Sequence, residues 1–275
     1  MARLFGLVGN RPDLGGRVLL AEAIPLSVRV SEPPVGWGMS FYQGGEVLLR
    51  RRPVDDRSVL DVAKLAADVR ADAVVGHVRK PTTGALQPEN THPFRYRQWV
   101  FVQTGTVPSY GRVRARLLDA VPEFLRGGIR GDTDAELVFH VVLSFMHDQG
   151  SLGEAVVEPQ VIVEAMRSTY TLLESLVAEE GAGVVGLNWI MSGGEYVVAS
   201  RRGAAMATRV YRGKSDADAL IGDDLALRRK VPEMERMYFA LVASDFDAEP
   251  PPTWNSVALG TFVVAERTSL EVIAS

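Results

Sequence analysis

The chain of 275 residues contains no cysteine. That absence excludes disulfides, thiolate metal sites and a thiol nucleophile. Histidine is scarce, at four residues, and no H-E-x-x-H pairing occurs, so a helical zinc site of that kind has no support. Apolar runs long enough to span a bilayer are missing, as is a charged segment leading into an apolar stretch with a small-residue cleavage site. A cytoplasmic protein without a membrane partner is the expectation. Charge of one sign is also missing: 30 basic against 34 acidic residues leave a net charge of −4, which gives no long-range pull toward nucleic acid. The basic run Arg50-Arg51-Arg52 reads as the solvated end of a strand. The patterns G-x-x-x-x-G-K, G-x-S-x-G and S-x-x-K are absent, so phosphate cradles and serine elbows are unsupported and no cofactor is implied.

What is present is a hydrophobic fraction of 47% and a charged fraction of 23%, the balance of an ordinary globular chain. No repeat or linker breaks it, and Asp245–Pro252 reads as a surface loop, so residues 1–275 are expected to form a single domain. Short apolar runs at 3–9, 73–79 and 98–102 predict buried strands. Segments 36–42 and 46–50 flank Gly44-Gly45 and predict a hairpin. Helical periodicity covers 58–70, 110–120, 132–147 and 152–179. Strand patterns then return at 183–191, 195–200, 205–211, 236–243 and 258–266. Strands, then helices, then strands point to an α+β fold with two antiparallel sheets and helices outside them.

Few residues stand out chemically. His77 sits in an apolar strand and reads as a satisfied core histidine, and His92 before Pro93 as a structural hydrogen-bonding group. His140 and His147 lie near one helix face. Thr133-Asp134-Ala135-Glu136 is a capping box, in which Thr133 accepts from the Glu136 N–H and the Glu136 carboxylate reaches back. Asp134 then either caps the helix or aims an anionic oxygen at an amine. Gly36-Trp37-Gly38 predicts a strand that another backbone or a ligand approaches closely.

Six segments fall in one order: Arg3-Leu4-Phe5-Gly6-Leu7, Gly36-Trp37-Gly38, His77-Val78-Arg79, Asn90-Thr91-His92-Pro93-Phe94, Thr104-Gly105-Thr106-Val107 and Gly131-Asp132-Thr133-Asp134-Ala135-Glu136. This order resembles the class II glutamine amidotransferases of the N-terminal nucleophile hydrolase superfamily, especially the small stand-alone bacterial members that include ergothioneine-pathway-type amidohydrolases. The resemblance implies a four-layer αββα sandwich. It also implies a cysteine at the mature amino terminus that attacks a glutamine amide, with its own α-amine as proton acceptor. Carried over by motif, Arg79 matches the holder of the glutamine carboxylate and Asp134 the holder of its amine. Thr82 matches a hydroxyl-bearing pocket position, and Gly105 the glycine of the oxyanion hole.

The catalytic positions depart from that pattern. Methionine before alanine is normally trimmed, so Ala2 is expected at the mature terminus, where the family has cysteine. Thr104 stands where the resemblance places an oxyanion asparagine. Pro33 and Val35 replace a histidine and an aspartate before Gly36, and Pro81 replaces a small residue. The joint losses favour a pseudoenzyme that binds an amino-acid or γ-glutamyl ligand or a protein partner. The alternative is a working glutamine or γ-glutamyl amide hydrolase whose terminal cysteine has been replaced by Ala2. Thr104 as a substitute nucleophile is a third reading, and no partner base for it is evident.

Overall fold

The computed structural model describes residues 2–80, 82–230, 234–246 and 249–274. Pro81 and part of the Asp245–Pro252 loop lie outside these residues. In chain order the strands are β1 (Arg3–Gly9), β2 (Val28–Arg29), β3 (Val35–Gln43), β4 (Glu46–Asp55), β5 (Val59–Leu60), β6 (Ala73–Arg79), β7 (Phe94–Tyr96), β8 (Trp99–Thr104), β9 (Asn188–Ser192), β10 (Tyr196–Arg201), β11 (Met206–Arg212), β12 (Tyr238–Ser244), β13 (Asn255–Val257), β14 (Thr261–Glu266) and β15 (Leu270–Ala274). The helices are α1 (Gly15–Ala21), α2 (Ala23–Leu26), α3 (Val62–Ala66), α4 (Tyr110–Asp119), α5 (Glu123–Arg126), α6 (Asp134–Asp148), α7 (Pro159–Glu179), α8 (Gly213–Ile221) and α9 (Leu225–Lys230).

Seven strands in the order β13-β11-β12-β1-β6-β3-β4 form one sheet, and six in the order β15-β14-β10-β9-β8-β7 form the other. Neighbouring strands in both sheets run antiparallel. Three apolar clusters separate the layers. Leu4, Val8, Val75, Val102, Ile190 and Val242 pack between the sheets. Phe5, Leu7, Val74 and Val78 pack outward against α1, α3 and α8. Phe101, Trp189 and Val198 pack outward against α4, α6 and α7. The fold is therefore an αββα sandwich. Because both sheets are covered on both faces, their strands read as continuous apolar runs, and that run signal located β1, β6 and β8 correctly.

The hairpin forms as expected: Gly44 and Gly45 have φ of +59° and +83°, and β3 and β4 flank them. Other expectations need correction. The helix expected over 58–70 is only Val62–Ala66. Val59–Leu60 instead pairs with Val28–Arg29, and the Asp61 carboxylate accepts from the Lys64 N–H and starts the helix late. The helix expected from 152 begins at Pro159, whose missing N–H suits a first helical position. Arg50–Arg52 lie within β4, not at its end, and Arg51 is half-buried with a hydrogen bond to the Pro93 carbonyl. Of the run expected at 258–266 only Thr261–Glu266 is strand, as β14, and the short β13 (Asn255–Val257) precedes it.

Candidate functional site

Strand alternation decides what the site contains. On β1, Leu4 and Val8 face the layer between the sheets, so Ala2, of the same parity, points that way too. On β6, Ala73 and Val75 share that face with His77 and Arg79. On β8, Val100 and Val102 share it with Thr104, while Gln103 turns toward the helices with Phe101. Arg3 pairs with Val78 and Leu4 with Ser244, so the start of β1 and the ends of β6 and β12 meet at one border of the sandwich. The start of α6 reaches the same border.

There the structure forms a cavity of about 200 Å³ whose walls include Ala2, Arg79, Thr82, Thr104, Gly105 and Asp134. The six catalytic and binding positions assigned by motif thus meet at one place. Gly105 has φ of +86°, and a Cβ there would lie 2.4 Å from the Gly186 carbonyl oxygen, so glycine is demanded on both counts. Gly38 behaves as expected for a close approach: a Cβ would lie 2.1 Å from the His92 carbonyl oxygen.

The hydrogen bonding of these groups is largely internal. The buried Arg79 guanidinium donates to the carbonyls of Thr83, Gly84 and Ala85. Burial pulls its pKa down, and the charges of Asp132 and Asp134 oppose that shift. Asp134 accepts from the Thr83 hydroxyl at 2.8 Å, the Val107 N–H at 2.8 Å and the Gln103 amide at 3.2 Å. Burial still raises its pKa. The Gln103 carbonyl oxygen in turn accepts from the Trp189 indole at 2.9 Å. Thr82 and Thr106 share a hydroxyl hydrogen bond of 2.6 Å. Thr104 donates at 2.7 Å to Asp245, a carboxyl that burial pushes up in pKa and that also accepts from Ser244.

Three local expectations need correction. Thr133 does accept from the Glu136 N–H, at 3.3 Å, but the Glu136 carboxylate accepts from the N–H groups of Arg130 and Gly131 rather than from the cap residue. His77 is buried but not satisfied, since neither ring nitrogen has a hydrogen-bond partner among the described residues. His92 likewise has none, and its ring lies 4.1 Å from that of His77, centroid to centroid. Burial, with the nearby Arg79 charge second, depresses His77 to about 3, and burial also holds His92 well below its ordinary value, so both imidazoles are neutral. Of the other histidines, His140 is buried and His147 half-exposed. Among the described residues no cluster of metal-ligating side chains occurs, and no helix is long and apolar enough to cross a membrane.

Sequence reasoning missed Thr83, Gln103 and Asp245. Parity on β8 was the available signal for Gln103. Nothing in the pattern marks Asp245, which reaches Thr104 across 141 positions of chain.

A fold with two facing antiparallel sheets and a cavity where β1 begins defines an N-terminal nucleophile hydrolase architecture. The profile of the class-II glutamine amidotransferases matches residues 27–275, and the chain belongs to that family. It is 26% identical over 121 residues to a Saccharomyces cerevisiae protein named "Probable glutamine amidotransferase DUG3", a match covering 42% of this chain and 34% of that protein. The chain thus spans about a third of that relative's length. A class-II glutamine aminotransferase domain protein from Silicibacter pomeroyi has the same fold, with a TM-score of 0.60 and 16% identity over 99% of this chain and 100% of that one. A "predicted glutamine amidotransferase" from Pseudomonas aeruginosa gives 0.61 and 17%, with 99% of this chain and 100% of that one covered.

Proposed function

We propose that this chain is a class-II glutamine amidotransferase relative that does not hydrolyse amides and keeps its cavity as a binding site for an amino acid or γ-glutamyl compound. The observation that carries the reading is the state of the cavity's reactive groups. Ala2 offers a methyl group where a nucleophile belongs, and the hydroxyls of Thr83 and Thr104 are held by carboxylates. Thr104 is turned toward Asp245 and away from service as an oxyanion donor, a loss worth roughly 10²–10³ in rate. Asp245 gives Thr104 the carboxylate partner that the sequence pattern did not reveal, so the turnover assay below tests that hydroxyl as a nucleophile as well.

Binding is supported by what remains. Arg79 and Asp134 supply one fixed cation and one fixed anion on the walls of a cavity sized for a small zwitterion. Carbonyl partners hold the guanidinium in place without neutralising it.

The test has two readouts on the full chain. Ammonia release from glutamine should match the buffer blank, and measurable turnover would end the non-hydrolytic reading. Calorimetry should show saturable binding of glutamine, glutamate or a γ-glutamyl peptide, lost in Asp134→Asn. If none binds in the millimolar range, the ligand role is wrong and a role in contacting another protein is left.

A further inference from the structure

A second cleft lies behind the first turn of α6. It has a volume of about 360 Å³, and its walls include Arg51 on β4, Glu89, Arg95, and Arg130, Glu136 and His140 around the start of α6. Thr133, Asp134 and Ala135 face the first cavity while Glu136 and His140 face the second, so one helical turn partitions the two. Nothing in the reading of the first cavity uses this cleft.

Its walls are prepared for an anion. Arg51 donates through one Nη to the Pro93 carbonyl, but its Nε is buried with no partner. A charged donor left buried and unpaired is destabilising unless something else meets it. The charges of Glu136 and Glu89 act on Arg51, but the Glu136 oxygens take their hydrogen bonds from backbone N–H groups, of Arg130 at 3.0 Å and Gly131 at 2.7 Å. Three guanidinium groups against two carboxylates leave the cleft positive.

His140 adds a directional requirement. Its Nδ1 lies 2.9 Å from the Glu136 carbonyl oxygen, which can only accept, so Nδ1 carries the hydrogen and Nε2 presents a lone pair. Burial keeps this imidazole neutral. Nε2 stands beside Gly128, where a Cβ would lie 2.8 Å from it.

We propose that this cleft binds a phosphate-class oxyanion, its charged oxygens toward Arg51, Arg95 and Arg130 and a protonated oxygen donating to His140 Nε2. A carboxylate meets the first requirement but has no O–H to give at neutral pH. Inorganic phosphate meets both, since its monoanion and its dianion each keep an O–H, and a phosphate monoester keeps one on the fraction left protonated by a second ionisation near about pH 6. Arginine also presents a planar fork suited to paired phosphate oxygens.

Calorimetric titration of the full chain with inorganic phosphate, glycerol phosphate and acetate tests this. Saturable heat is expected with phosphate, and at least about tenfold weaker binding with acetate. Equal binding of glycerol phosphate makes a phosphate ester the source, and weaker binding makes it the free ion. Arg51→Gln and Gly128→Ala should each weaken phosphate by about tenfold or more, whereas Asp134→Asn, across the helical turn, should not. Circular dichroism establishes folding of each variant, and Gly128→Ala decides the matter if Arg51→Gln does not fold. No saturable heat with either phosphate, equal affinity for acetate, or indifference of the folded variants would overturn the proposal.

Discussion

The Thr83 hydroxyl donates to Asp134 at 2.8 Å while the Thr83 carbonyl accepts from Arg79, so one residue fastens both charged walls of the first cavity. Asp134 is buried, and hydrogen bonds to buried charges are among the more valuable ones. Thr83→Val keeps the shape and removes the donor. It should lower stability by about 1.5–3 kcal/mol, read from urea unfolding. An unchanged midpoint would mean that Val107 and Gln103 satisfy Asp134 by themselves.

Restoring a thiol should not restore turnover. In Ala2→Cys the nucleophile would return, but Thr104 would still be engaged with Asp245. Ammonia release from glutamine should stay near the blank in that variant. Adding Thr104→Asn should raise it by roughly 10²-fold, the worth of one oxyanion donor. Mass spectrometry must show that the initiator methionine has been removed. Full activity in Ala2→Cys alone would show that Thr104 is no obstacle.

Acid should weaken the fold through the paired histidines. His77 ordinarily titrates near 6.5, and in the folded chain it is depressed to about 3. The unfolded chain therefore takes up the proton first. The stability held by the neutral ring is complete above the ordinary value and is lost as pH falls through the window between the two. Urea midpoints at about pH 7 and about pH 4.5 should differ less in His77→Asn than in the parent chain. An equal difference in both would remove His77 from the acid response.

Gly38→Ala tests the contact between β3 and the segment before β7. The added carbon would sit 2.1 Å from the His92 carbonyl oxygen, a backbone atom that cannot swing aside. Overpacking of this kind costs about 1–3 kcal/mol. Thermal unfolding should register the loss, and a neutral result would mean that the segment moves freely.

The sandwich was legible because its strands are short apolar runs with turn residues between them, and Gly44-Gly45 located the hairpin without ambiguity. The elements that escaped were too short to show a period. Val28–Arg29 and Val59–Leu60 form a two-residue ladder, and only their pairing across the chain makes them strands. The six positions gathered in the first cavity were found by motif order. Their partners were not, because a hydrogen bond such as Thr104 to Asp245 depends on where β12 ends relative to β8, which no local pattern encodes. The histidines erred in the same way: an apolar strand foretold burial of His77 but could not foretell that its ring would face another imidazole.

Ala2 walls the cavity, so whatever precedes it in an expressed polypeptide is tethered one peptide unit from the ligand space. An amino-terminal affinity tag would compete with any guest and could mimic loss of binding. The other terminus is safer. The register runs Thr104 to Asn188, Arg201, Thr261 and Ala274, which sets the last strand four ladder spacings away, about 19 Å at 4.8 Å per step. Fusions for biophysical work belong there.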